Sequence, residues 1–308
     1  MKRFTLSAFA DEAAADLDAQ IAALAENNIA YIELRGVDGV NVADLTPAHL
    51  QRTREKLRAG GIRVSAIGSP IGKVSITAPF APELERLCRV LEIADYLEAP
   101  AIRLFSFYLP EEEVGEKIVG DSAQKTLSEQ PLTPLQARYR DEVLLRLSRF
   151  LEKAKGSGVM LGHENEEKIF GESPRACLEI AALGMGMVFD PCNFVLCGHA
   201  ALPAYALLRP HIAYLHIKDA RDGRVVPPGE GECHIAELLQ RQKETPCFLT
   251  LEPHLAEFVG LSAQHQNADV SHFSSERFSS NRAAFNFAAQ ALWDIMREGG
   301  VLPDSEKQ

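Results

Sequence analysis

Apolar, strand-like runs alternate with helix-like segments eight times along this chain, and few architectures accept that pattern. The runs are read at Phe4–Ala10, Ile29–Leu34, Ile62–Ile67, Ala101–Phe107, Val159–Glu164, Met187–Asp190, Ile212–Lys218 and Cys247–Glu252. Between them apolar residues recur at helical spacing, as in Leu17, Ile21 and Leu24. Thr46-Pro47 supplies a helix N-cap with a first-turn proline, and Gly60-Gly61 a stop. Further helices are read from Pro82 to Leu97, Thr133 to Lys155, Ser173 to Leu183, Pro203 to Leu208, Ile235 to Gln242 and Phe273 to Met296. Eight such units predict a single α/β domain over residues 1–308, a (β/α)8 TIM barrel, a fold of typically about 250 residues. A doubly wound open sheet is the competing architecture.

Two connections exceed the usual length: a lid-like insertion near residues 109–132, and a C-terminal loop plus helix over 256–298. Both follow strand ends, the catalytic side of a barrel, and so suit a lid or substrate wall; a plain surface excursion or oligomer contact is the alternative. With 46% apolar and 24% charged residues the chain has material for a full core. A net charge of -11 argues against nucleic acid as partner, because the phosphate backbone rewards clustered Lys and Arg. The 6 cysteines form no CxxC pair and read as reduced thiols. The start MKRFTLSAFADE has no long apolar stretch, and no run of about 18 apolar residues occurs, so a cytoplasmic protein without a membrane partner is expected.

The ends of the last four strands carry the chemistry. VMLGHENEEKIF brings Glu164, FDPCN Asp190, LHIKDA His216 and LTLEPHL Glu252. Each is separated from the next by about one strand-helix unit, so four neighbouring strands deliver Glu, Asp, His and Glu to one rim. Converging carboxylates repel and raise one another's pKa, whereas a divalent ion makes their convergence favourable. One nitrogen and three oxygens suit manganese first, then cobalt, zinc, iron or magnesium. Taken singly, each residue has an ordinary alternative: a helix cap or an ion pair.

HENEE, FDPCN, HIKD and LEPHL, in that order and spacing, resemble the xylose isomerase-like TIM-barrel superfamily, over about residues 2–255. That superfamily includes sugar phosphate isomerases and epimerases, tagatose 3-epimerase-type enzymes, inosose isomerases and dehydratases, and the endonuclease IV group. The resemblance implies one divalent metal ion on Glu164, Asp190, His216 and Glu252, with Glu164 and Glu252 also the catalytic acid/base pair. It implies a metal-dependent isomerase or epimerase of a sugar, keto-sugar or inositol derivative, working by proton abstraction beside a carbonyl through a metal-stabilised enediolate. An inosose-type dehydratase is the alternative within the same site; a non-catalytic binding barrel and a DNA-repair enzyme stand outside it. The endonuclease IV pattern needs histidines on earlier strands, and strands three and four exit through Gly68-Ser69-Pro70 and Phe105-Ser106-Phe107 without one.

Around the four ligands stand further candidates. Asn193 occupies the place where the epimerase pattern commonly has histidine and is carried as substrate-binding, against turn stabilisation beside Pro191. Lys218 shares the face of His216 by alternation; Glu33, in YIELRG, and His254, two past Glu252, are candidate pocket residues. The same alternation turns His163 away, into packing. A small-molecule sugar or polyol is the expected partner, and a homo-oligomer is left open.

Overall fold

Leu6, Ala8, Ile32, Leu34, Ile102 and Leu104 are all buried, and each belongs to a strand that would present unpaired backbone if left at an edge. Closure removes the edges. The computed structural model describes residues 4–110, 127–258 and 277–302. Its strands are β1 (Thr5–Ala8), β2 (Tyr31–Leu34), β3 (Arg63–Gly68), β4 (Ala101–Leu104), β5 (Met160–Glu164), β6 (Gly186–Phe189), β7 (Ile212–Ile217) and β8 (Phe248–Leu251). All pair in parallel, each with its neighbours in the chain, and β1 pairs with β8 at Leu6↔Leu249 to close the barrel. The architecture is thus a (β/α)8 TIM barrel, not an open doubly wound sheet.

The helices are α1 (Leu17–Glu26), α2 (Pro47–Ala59), α3 (Ala81–Tyr96), α4 (Pro134–Ala154), α5 (Pro174–Ala181), α6 (Pro191–Leu196), α7 (Ala201–Leu208), α8 (Ile235–Gln242) and α9 (Asn281–Glu298). Local chemistry starts several of them. The side chain of Thr46 accepts from His49 N, and Thr133 and Gln136 form a reciprocal capping box, each followed or overlapped by a first-turn proline. The last helix begins later than the sequence pattern suggests, because Ser280 is its cap. The expected lid near 109–132 and the loop after 256 fall largely on residues 111–126 and 259–276, outside the described residues.

Two short antiparallel ribbons follow β2 and β7: Gly36–Val37 with Val40–Asn41, and Asp219–Arg221 with Arg224–Val226. Both turn on Asp-Gly, Asp38-Gly39 at φ 51° and 77° and Asp222-Gly223 at 54° and 73°. Such a turn needs two positive φ values, which Asp tolerates and Gly accepts freely. The second ribbon is anchored by buried Asp219, whose carboxylate accepts from the backbone N–H of Ala220, Gly229, Gly231 and Cys233. The PPGEGE loop is thereby tied down right beside Lys218.

Inside the barrel the strand starts are apolar. Ala66, Ala101, Val188 and Tyr214 pack there, with Met160, Ala213, Cys247 and Phe248 against them. The strand ends are polar, and the two halves divide the interior into a plug and a site.

Candidate metal centre

By alternation along each strand, a residue two places after an inward apolar one also points inward. Tyr214 is followed in this way by His216 and Lys218, Val188 by Asp190, and Met160, through Gly162, by Glu164. The result is a cluster of Glu164, Asp190, His216 and Glu252, whose ligand atoms all lie within 4.8 Å of one another. Asp190 and His216 are fully buried, and Glu164 and Glu252 nearly so.

Each member is held from behind. Asp190 caps α6 through Oδ1, which accepts from Asn193 N at 3.0 Å. Asn165 clasps the Asp190 backbone, donating to its carbonyl at 2.9 Å and accepting from its N–H at 3.0 Å. His216 Nδ1 stands 3.1 Å from Glu164 Oε1 and 3.3 Å from Glu252 Oε2, while Nε2 stands 3.2 Å from Glu33 Oε2. Tyr214 donates its hydroxyl to the other Glu33 oxygen at 2.9 Å. Glu33 thus holds the imidazole from its Nε2 side, leaving Nδ1 toward the rest of the cluster. Asn193 donates to Asn165 O at 2.8 Å and reaches Glu164 Oε1 at 3.4 Å.

Cations complete the cluster. Lys218 Nζ lies 2.9 Å from Asp190 Oδ2 and 3.2 Å from Glu252 Oε2. Arg35 holds Asp11 with two bonds, Nε to Oδ2 at 2.9 Å and Nη2 to Oδ1 at 3.0 Å, and reaches Glu12 at 3.1 Å and Glu252 at 3.0 Å. Arg103 Nε lies 3.3 Å from Glu164 Oε2 and 3.9 Å from Glu33 Oε1. His254 stands 3.4 Å from Glu12 and from Glu252. His163 is turned out of the barrel, against Ser106 Oγ at 2.9 Å, where a Cβ on Gly171 would collide with its ring.

The charges do not balance by themselves. Six buried acids, Asp11, Glu12, Glu33, Glu164, Asp190 and Glu252, meet three permanent cations, Arg35, Arg103 and Lys218, and even with Glu12 neutral the acids outnumber the cations. Burial would lower the His216 pKa, yet Glu164, Glu33 and Glu252 hold it well above its ordinary value. Both ring nitrogens face carboxylates, so the imidazolium partly supplies the missing positive charge. Burial, offset by Lys218, raises Asp190 to about 6. Burial also acts on Glu252, but Lys218, His254 and His216 keep it well below the usual range, and so ionised. Burial pushes Glu12 up to about 8.

A divalent ion fits this donor set. It would supply the charge that the imidazolium now supplies, and it would find Asp190 Oδ2, a buried oxygen that accepts no hydrogen bond. The four residues therefore form a buried cluster able to hold a metal. A second grouping, Glu12, Glu252 and His254, also has ligand atoms within 4.8 Å of one another, but the Arg35 guanidinium already lies between its two carboxylates.

Sequence comparison agrees with this fold. A family model described as xylose isomerase-like TIM barrel matches residues 21–268. The chain belongs to this family. Solved structures of the same fold include a D-allulose 3-epimerase from Methylomonas sp. in complex with D-allulose, 14% identical over 96% of this chain and 98% of that one, TM-score 0.68. The IolI protein with a zinc atom is 14% identical over 96% and 99%, TM-score 0.65. The probable 3-DHS dehydratase AsbF from Bacillus anthracis is 18% identical over 86% and 95%, TM-score 0.60. No curated protein matches the sequence. Among the described residues no helix is long and apolar enough to cross a membrane.

Sequence reasoning did not single out Arg35, Arg103, Asp11, Glu12, Asn165 or Tyr214. For the two arginines a signal exists: each is a charge inside an apolar strand run, YIELRG and AIRLF, where alternation turns it inward. The position of Glu33 leads to one prediction. Glu33→Gln is expected to weaken divalent metal binding about 10- to 100-fold, as removal of a carboxylate behind a ligating histidine generally does. Metal titration of the purified variant checks it, and wild-type affinity would contradict it.

Proposed function

We propose that this protein is a divalent-metal-dependent isomerase or epimerase of a sugar, keto-sugar or inositol derivative. The ion, which we propose to be manganese, would be held by Glu164, Asp190, Glu252 and the Nδ1 of His216, a mixed nitrogen and carboxylate set that suits it. One observation carries the reading. Glu164 and Glu252 approach the same ring nitrogen, at 3.1 Å and 3.3 Å, from strands on either side of β7. A substrate centred there meets a carboxylate from each direction.

The bound ion would supply Lewis-acid stabilisation for negative charge that develops on a substrate oxygen. The rest falls to the chain. Glu252, kept ionised among Lys218, Arg35 and His216, takes a proton from the carbon beside the carbonyl. Glu164, on the other side, returns one that it has taken from solvent, and Glu252 releases its own to solvent to close the cycle. Return to the same carbon inverts it, and return to the neighbouring carbon converts aldose and ketose. The plug of Ala66, Ala101, Val188 and Tyr214 closes the barrel below, so water does not enter from that end.

Proton NMR in D2O over a panel of ketoses and inososes tests this. The metal-loaded protein is expected to introduce deuterium beside the carbonyl, and Glu164→Gln or Glu252→Gln to slow that exchange about 10²- to 10⁴-fold. A product lacking the elements of water would instead assign a dehydratase. A metal-loaded protein that exchanges no proton on any member of the panel would leave a binding barrel.

A further inference from the structure

Arg103 is 2% exposed, and its Nε and Nη2 both lack a hydrogen-bond partner. Those two nitrogens form one edge of the guanidinium, with N–H bonds that run side by side. The same edge of Arg35 grips Asp11 through two bonds, at 2.9 Å and 3.0 Å. On Arg103 neither nitrogen of the fork makes a hydrogen bond: Nε only faces Glu164 Oε2 at 3.3 Å, and Nη2 faces no acceptor. Burying two such donors without a hydrogen bond is costly even beside the Glu164 carboxylate, and calls for an acceptor to explain it.

The surroundings fix where that partner would lie. Arg103 comes from β4, with Glu164 Oε2 of β5 at 3.3 Å on one side. On the other is Gly68 of β3, where a Cβ would stand 3.1 Å from Nη2 and 2.6 Å from the Phe9 ring. A bare glycine keeps that space clear. Phe105 lies under the guanidinium at 4.6 Å and limits its tilt. The open edge therefore borders the carboxylate proposed as an acid/base group.

We propose that Arg103 is a specificity-determining residue whose open edge takes two neighbouring oxygens of an uncharged polyhydroxy substrate. The inference takes its site from the isomerase reading above and adds the substrate's charge. Arg103 already answers two carboxylates, Glu164 and Glu33. Of the six buried acids Glu12 is held neutral by burial, and the other five against three permanent cations leave no positive surplus even with a bound divalent ion. A phosphate or carboxylate on the substrate would add charge of the wrong sign, whereas paired hydroxyl or carbonyl oxygens satisfy both donors and add none.

The test uses the full chain loaded with magnesium, in two parts. The Arg103 Nε–H resonance is assigned by its loss in Arg103→Lys and followed while D-fructose, myo-inositol and D-fructose 6-phosphate are added in turn. At least one neutral probe is expected to shift it, with the phosphate ester weaker than its parent sugar. No shift with either neutral probe overturns the proposal, and so does an ester that acts at lower concentration than fructose. In the second part Arg103→Lys, which keeps the charge and loses the fork, is expected to raise KM for the substrate found in D2O about 10- to 100-fold, with metal content unchanged. An unchanged KM with normal deuterium exchange would overturn this inference and leave the isomerase reading intact. A shifted Arg103 resonance without exchange on any substrate would do the reverse.

Discussion

Asp190→Asn is expected to yield a folded protein that has lost its metal. Asp190 has two tasks on two oxygens. Oδ1 caps α6 by accepting from Asn193 N, and an asparagine carbonyl caps a helix as well as a carboxylate does. Oδ2 faces Lys218 at 2.9 Å and accepts no hydrogen bond. In the variant a donor NH2 replaces it, pointing at an ammonium and at the place of the ion. Divalent metal affinity should fall by more than about 100-fold, beyond what loss of an outer partner costs. Deuterium exchange in D2O should fall by at least about 10³-fold, since the other groups then lack the charge they act with. Asp190→Ala separates the two tasks: it loses the metal equally and gives up about 1 kcal/mol of cap as well. Mass spectrometry of bound metal and thermal melts decide the matter. A stoichiometric ion retained in Asp190→Asn would remove Asp190 from the ligand set.

The barrel was legible because closure imposes a rhythm. Every strand must be apolar over a few residues and every helix must present one apolar face, so eight alternations leave few folds open. The four residues of the buried cluster were legible for a related reason. Glu164, Asp190, His216 and Glu252 each interrupt an apolar run at its end, and the barrel turns such ends toward one rim. Residues that act through pairing across the barrel left a weaker trace. Arg35 and Arg103 are single charges in apolar runs, and what makes them part of the site is their contact with Glu252 and Glu164, far away in sequence. Asp11 and Glu12 follow β1 in a 3-10 turn that has no periodicity to detect. The six-residue helix α6 is too short for a helical period, so FDPCN looked like a turn. The Asp-Gly pairs in VDGV and RDGR carry hairpin-turn chemistry that the sequence reading passed over, and each turns a short ribbon. Glu33 and Lys218, expected as pocket residues, lie against the buried cluster, with Glu33 beside His216 and Lys218 between Asp190 and Glu252.

Lys218 is where the largest effect on stability is expected. Its ammonium lies between Asp190 and Glu252, and although burial lowers its pKa, those two carboxylates hold it well above the ordinary lysine value. Lys218→Met keeps the length and apolar stem and deletes the charge, leaving two buried carboxylates without that counter-ion. Removing one partner from a buried pair costs about 3–5 kcal/mol. The loss here should be smaller, about 2–4 kcal/mol or about 5–10 °C in Tm, because Asp190 escapes by taking up a proton. Its folded pKa of about 6 already exceeds the ordinary aspartate value of 3.8, so it favours folding most in acid and loses that contribution as pH rises through about 6. Methionine moves the folded value further up, and the gap between metal-free variant and metal-free wild type should widen from about pH 6 upward and narrow toward pH 4 without closing, because Glu252, held well below the usual range, is still ionised there. Saturating metal supplies the missing charge, so the same gap should shrink to below about 1 kcal/mol. By linkage, a variant destabilised only when metal-free must bind metal more tightly, by about tenfold or more. Melts with and without metal across pH 4 to 9 check every arm. Equal metal-free stability of variant and wild type at pH 8 would mean that Lys218 does not neutralise the carboxylates, and a gap that persists undiminished at saturating metal would mean that ion and lysine do not answer the same charge.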